Sequence, residues 1–158
     1  MKLKIKKLNS NAKLPSRAHS DDAGIDLYSL GDYIIKSGET KVVQTGIALE
    51  IPHGYVGLIW DKSGISSKGV KTLGGVIDAG YRGEVGVIIH NLSDSDFTFV
   101  KNSKVAQMLI QKVELFEVSE AIAAAKVTAW WGIDYILLSK QDGAWMIEEV
   151  LWQGPLLK

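Results

Sequence analysis

Along most of this chain, short apolar runs alternate with polar or turn-forming residues, and no stretch shows the three-to-four-residue spacing of an amphipathic helix. The start, Met1 to Lys7, alternates lysine with apolar side chains at period two, the pattern of a half-exposed strand. A polar loop over 9–22, holding Pro15, Ser16, Arg17 and His19, follows it. Short strands are then expected over Gly24–Tyr28, Tyr33–Ile35, Lys41–Thr45, Gly46–Ile51, Tyr55–Trp60, Phe97–Val100 and Val105–Ile110. Ser37-Gly38-Glu39, Pro52-His53-Gly54 and the turn cluster 91–96 separate them. Short strands with glycine and proline punctuation argue for an all-β barrel or sandwich.

The stretch Gly74–Asn91, GGVIDAGYRGEVGVIIHN, concentrates the most chemistry. Two apolar runs, Gly75–Ile77 and Val85–Ile89, flank Asp78–Glu84, and Gly80 and Gly83 are available for turn conformations that other residues adopt only at a cost. The pattern predicts a β-hairpin with Asp78 and Tyr81 at its mouth. Either it is a hairpin with a polar tip, or its carboxylate takes a proton from water above a pocket floored by the tyrosine ring.

Composition narrows the partners. With 158 residues the chain is one domain, or one domain with an appendage. Lysine plus arginine equal aspartate plus glutamate at 18 each, so no bulk charge points to a nucleic acid polymer or a membrane surface. There is no cysteine, which excludes disulfides and thiolate metal sites and fits a reducing, cytoplasmic setting. The N-terminal pattern lacks the apolar core of a signal peptide, and no run approaches the roughly 18 apolar residues of a membrane span.

Three further segments carry candidate chemistry. Asp26 has apolar neighbours and needs partners, either backbone amides at a strand end or a functional group. Asp61-Lys62-Ser63-Gly64 is either a solvated loop or a phosphate site, with a lysine charge, a hydroxyl donor and a glycine that lets backbone N–H groups approach oxygen. Gln107 interrupts an apolar strand, and its amide must be satisfied by a structural hydrogen bond or by a ligand.

Taken in order, from about Leu3 to Val118, these segments resemble the trimeric dUTPases, hydrolases that convert dUTP to dUMP and pyrophosphate. Four of that family's five motifs are legible, at Ala23–Ser29, Asp61–Gly64, Gly75–Glu84 and Ser103–Leu109. The resemblance implies a distorted barrel or jelly-roll over 1–119 and a homotrimer with sites between subunits. It implies that Asp78 is the general base that activates water for attack on the α-phosphorus, and that Tyr81 packs against the deoxyribose. Backbone groups around Gly75 and Ile77 would read the uracil edge. Lys62, Ser63 and Gly64 would hold phosphate, with lysine standing where the family commonly has arginine and so supplying charge without a bidentate fork. Gln107 would reach the phosphate and metal-water region, Asp26 and Arg82 would support the site, and Mg2+ would ride on substrate phosphates and water. Asp78 is expected to accept hydrogen bonds near that metal.

The fifth motif, a glycine-rich arm with an arginine and a phenylalanine, has no counterpart in residues 120–158. Composition shifts there instead, with four of the five tryptophans in AIAAAKVTAWWGIDYILLSKQDGAWMIEEVLWQGPLLK. Strands are expected over Lys126–Ser139 and Trp145–Trp152 around the turn at Lys140–Ala144, with Ala121–Lys126 open to a helical turn. This hairpin is similar to the last hairpin of NTF2-like (SnoaL-like) proteins, where Asp-Gly precedes a Trp-x-Ile strand, and that similarity implies a fusion. So apolar a hairpin needs a partner, either the trimer body, a copy of itself or another chain, and its tryptophans fit core or interface.

Two functions remain open. One is a dUTP diphosphatase with turnover lowered by the missing arm. The other is a weak or inactive dUTPase-like trimer serving as a scaffold through residues 121–158. The related dCTP deaminases need a glutamate in the strand after the central turn, and Val85–Ile89 has none.

Overall fold

The computed structural model describes residues 2–118, 120–129 and 132–153. The chain divides into two compact units, 1–110 and 111–158.

The first unit is built almost wholly from short strands. β1 (Lys4–Lys7) pairs antiparallel with β5 (Ile47–Glu50), and β2 (Ile25–Tyr28) pairs with the first residues of β11 (Lys104–Val118). β3 (Tyr33–Ile35) pairs with β10 (Phe97–Phe99). β9 (Gly86–Asn91) lies between β4 (Thr40–Gln44) and β7 (Val70–Leu73), and β6 (Tyr55–Trp60) pairs with β8 (Val76–Ile77). A single helical turn, α1 (Ser63–Ser66), follows β6.

Alternation within these strands explains the core. Val87, Ile89 and Asn91 of β9 are buried while Ile88 between them is exposed. Val87 and Ile89 join Leu27, Ile35, Val43, Ile47, Val85, Phe99 and Met108 in one apolar cluster, each side chain contributing about 1.5–3 kcal/mol by leaving water. Asn91 is buried and polar, and it is satisfied. Its Nδ2 donates to Ile35 O at 2.9 Å and Ser95 O at 2.8 Å, and its Oδ1 accepts from Ser93 N and Oγ.

The central stretch departs from the expected hairpin. β8 and β9 do not pair with each other; β8 joins β6, whereas β9 joins β4 and β7. The chain switches sheets at Gly74 (φ 65°) and Gly75 (φ 108°). A Cβ at Gly75 would sit 2.9 Å from Ile59 O, so both the conformation and the close approach require glycine there. Gly80 and Gly83 are not among the left-handed glycines, and the turn conformations expected of them fall instead to the Gly74-Gly75 corner.

The second unit is a four-stranded antiparallel meander. Residues 111–118 of β11 pair with β12 (Ile122–Ala129), β12 with β13 (Gly132–Gln141) and β13 with β14 (Ala144–Gln153). The turn at Asp142 (φ 50°) and Gly143 (φ 83°) has the two left-handed residues of a tight hairpin, as the Asp-Gly pair predicts. The single strand expected over Lys126–Ser139 is two strands, with Ala129 opposite Gly132, and in Ala121–Lys126, open to a helical turn by sequence, the residues from Ile122 on are strand. Alternation alone misses this break, because Gly132 is the one turn-forming residue in an apolar run. Trp130 and Trp131, expected in core or interface, lie outside the described residues. Among the described residues no helix is long and apolar enough to cross a membrane.

Candidate active site

Two groups of side chains form on the first unit, and β6 serves both. Its C-terminal end delivers Asp61 and Lys62, and its edge holds β8, which leads into Asp78.

The first group is polar and centred on Asp26, which is 4% exposed. Its Oδ1 lies 2.5 Å from Lys62 Nζ and its Oδ2 lies 2.6 Å from Lys104 Nζ. Burial alone would raise the Asp26 pKa, but hydrogen bonds and charge from Lys104 and Lys62 outweigh it and hold the carboxyl below its usual value. The same contact raises the pKa of Lys104. Gln107 stands opposite Asp26 across the β2–β11 pair, and its Nε2 donates to Asp61 O at 2.8 Å. Gly24 is the companion of that glutamine, since a Cβ there would fall 2.6 Å from Gln107 Oε1. Asp61 in turn accepts from Thr72 N and Oγ1 and pairs with Lys71. Desolvation opposes ionisation of Asp61, yet the Lys71 and Thr72 contacts prevail and lower its pKa. Ser63 and Gly64, both exposed, begin α1 immediately after Lys62.

The second group surrounds a cleft of about 250 Å³ lined by Ile59, Gly75, Ile77, Asp78, Tyr81 and Ile88, among others. Asp78 is exposed at its mouth. Among the described residues no donor bonds its carboxylate, contrary to the expectation of hydrogen-bond partners. The turn is instead held by its backbone, with Tyr81 N donating to Asp78 O at 3.0 Å. Tyr81 folds over Gly83, where a Cβ would meet the hydroxyl at 2.6 Å, and that hydroxyl donates to Glu84 O at 2.8 Å. Arg82 turns back on the same loop, its Nη1 donating to Ala79 O at 2.6 Å and Tyr81 O at 2.8 Å. Glu84 anchors the loop by accepting from Gly46 N at 2.7 Å.

The structure thus brings together Asp26, Lys62 and Gln107, and separately Gly75, Ile77, Asp78, Tyr81 and Arg82. Among the described residues no hydrogen bond or ion pair joins the two groups. Sequence reasoning missed Lys104, Asp61, Lys71 and Gly24 as parts of the first group. Lys104 lies within the fourth motif and Gly24 within the first, so both were in view as motif members without a role.

An open carboxylate at the mouth of a cleft, and a second group of lysine and amide side chains suited to phosphate oxygens, fit a nucleotide hydrolase. The comparisons give the family. The chain belongs to the dUTPase family, whose profile matches residues 10–129. It is 44% identical over 122 residues to the deoxyuridine 5'-triphosphate nucleotidohydrolase of Mycolicibacterium gilvum, which covers 75% of this chain and 79% of that protein. A variant dUTPase from phage phi11 of S. aureus, solved to show coordination of a structural Mg(II) ion, matches with TM-score 0.70 and 29% identity. It covers 76% of this chain and 96% of its own. A Staphylococcus bacteriophage 80alpha dUTPase variant solved with dUpNHpp matches with TM-score 0.70 and 31% identity over 75% of this chain and 87% of that one. The family match runs past Glu120, where the composition shifts, to residue 129.

Proposed function

We propose that this chain hydrolyses dUTP to dUMP and pyrophosphate, with Asp78 as the general base. The observation that carries the reading is the Asp78 carboxylate itself, exposed at the mouth of the cleft and bonded by no donor among the described residues. Such a group is available to orient a water and take its proton. Tyr81 offers a flat apolar face for a sugar without a 2′-hydroxyl, and Gly75 and Ile77 line the same cleft, where their backbone groups would meet a base edge. Lys62, Ser63 and Gly64 bind phosphate, Gln107 and Asp26 hold the strand ends that carry them, and Arg82 stiffens the catalytic turn.

We read the site as shared within a homotrimer, one subunit supplying the Asp78 cleft and another the lysine cluster; the lack, among the described residues, of a hydrogen bond or ion pair between the two groups is compatible with that reading. Among the described residues no three acidic or histidine side chains gather to hold a metal. A Mg2+ ion carried by substrate phosphates and water would neutralise phosphate charge at such a site. Residues 120–158 contain no arginine and no phenylalanine, so these residues do not supply the fifth motif's cover over the base or its contacts to the outer phosphate, and turnover lower than in the relatives is expected. We read the first unit as the catalytic domain, acting in the cytoplasm, and the C-terminal strands as a fused addition that promotes assembly. The exposed apolar strand β14 favours that last role.

The test is pyrophosphate release from dUTP, dCTP, dTTP and UTP with magnesium. Selective release from dUTP, lost in Asp78→Asn, supports the reading, while release from none of the four overturns it.

A further inference from the structure

The second unit has one sheet face that is apolar at its centre and charged at its two ends. On β13 this face carries Asp134, Ile136, Leu138 and Lys140 at alternate positions. The register sets Trp152 opposite Asp134, Val150 opposite Ile136, Ile147 opposite Leu138 and Trp145 opposite Lys140. A bulge between Leu137 and Leu138 takes up Glu148, which accepts from Ser139 Oγ and Gln141 Nε2 and so leaves the apolar face uninterrupted. Trp145, Ile147, Val150 and Trp152 are 41, 64, 51 and 64% exposed. Exposed aromatic and branched side chains this closely grouped mark an interaction site.

The pattern is its own complement. A two-fold axis lying across the strands lays β13 on β13 and β14 on β14 in opposite directions. Asp134 then meets Lys140 of the second copy, Ile136 meets Leu138, Trp152 meets Trp145 and Val150 meets Ile147. An axis along β13 would instead set Asp134 on Asp134 and Lys140 on Lys140, which like charges disfavour. Edge-to-edge pairing of two β14 strands about their midpoint is disfavoured in the same way, because it would bring Glu148 and Glu149 of both copies together.

We propose that this face is an isologous interface through which the second unit of one chain packs face to face on that of another. This rests on the assembly role proposed above and deepens it by naming the partner, the face and the orientation. Pairwise contacts cannot all be satisfied inside a trimer, since three copies leave one unpaired. In a homotrimeric enzyme the face therefore joins trimers, and six chains is the smallest closed assembly.

The experiment is sedimentation equilibrium on the full chain at micromolar concentration, with dUTP turnover recorded in parallel. The wild type is expected at twice the mass of Val150→Asp, whatever the stoichiometry of the body. Each contact occurs twice in the interface, so Asp134→Lys and Lys140→Asp alone should each weaken the doubling about tenfold. The combined Asp134→Lys/Lys140→Asp chain should recover to within about threefold of the wild type. Recovery is the decisive readout, because a substitution that merely damages folding is not repaired by reversing a second charge. A wild type with the same mass as Val150→Asp, or a double variant no better than the singles, overturns the proposal. Turnover keeps the two readings apart. Loss of dUTP hydrolysis with intact doubling counts against the enzyme, and loss of doubling with intact hydrolysis counts against the interface.

Discussion

Asp26 shows how a buried carboxylate is kept charged. Its depressed pKa means that the Lys62 and Lys104 contacts stabilise the fold fully above the unfolded value near 4, and that this stability is lost as pH falls through the lower folded value. Asp26→Asn should cost about 2 kcal/mol at neutral pH, by leaving two lysines around a neutral amide, and should flatten the acid limb of stability measured by denaturant midpoints from pH 7 to 3. Asp78 predicts the reverse combination. Since no described residue bonds its carboxylate, Asp78→Asn should leave thermal stability within about 0.5 kcal/mol of wild type while lowering turnover at least about 100-fold. Gly24→Ala should displace Gln107 and break its bond to Asp61 O, lowering stability by about 1–3 kcal/mol. Adding Gln107→Ala should then cost little more, which a double-mutant cycle in thermal unfolding would show. The partners of Asp26 were not readable from sequence. A lone acid in an apolar strand announces only that it needs a partner, and the lysines that serve it are 36 and 78 positions away in the chain (62 − 26 and 104 − 26).

At the scale of elements, strand existence was legible and strand pairing was not. β3 and β6 fall where alternation and flanking glycine or proline put them, because those cues are local. The pairing of β8 with β6 instead of β9 depends on a corner that only the fold reveals, and the two glycines that make it looked like ordinary flanking residues. Gly75→Ala tests the corner. It must strain a positive φ and press a methyl against Ile59 O, so a loss of about 2 kcal/mol or more is expected in chemical unfolding. Turnover should fall as well, since β8 aims the Asp78 turn. The break between β12 and β13 escaped notice for a related reason. Continuous apolar sequence fits one long strand or two shorter ones equally well, and the Asp142-Gly143 turn was found because its chemistry is explicit.

For the whole molecule, no hydrogen bond or ion pair among the described residues joins the two halves of the candidate site, and the proposed trimer would assemble them by symmetry. If each site takes Asp78 from one subunit and Lys62 from another, subunit exchange between Asp78→Asn and Lys62→Ala proteins, each inactive alone, should restore up to about one quarter of the sites, by chance assortment. A site confined to one protomer would recover none. The motifs made the dUTPase family legible before the fold was known, whereas a sharing of sites between chains was implied only through that resemblance. The most direct measurement is hydrolysis of dUTP in 18O-labelled water, with both products analysed by mass. Attack on the α-phosphorus by a water that Asp78 activates predicts one 18O in dUMP and none in pyrophosphate, with both products lost in Asp78→Asn. Label in the pyrophosphate, or unchanged labelling of dUMP by Asp78→Asn, would contradict the account.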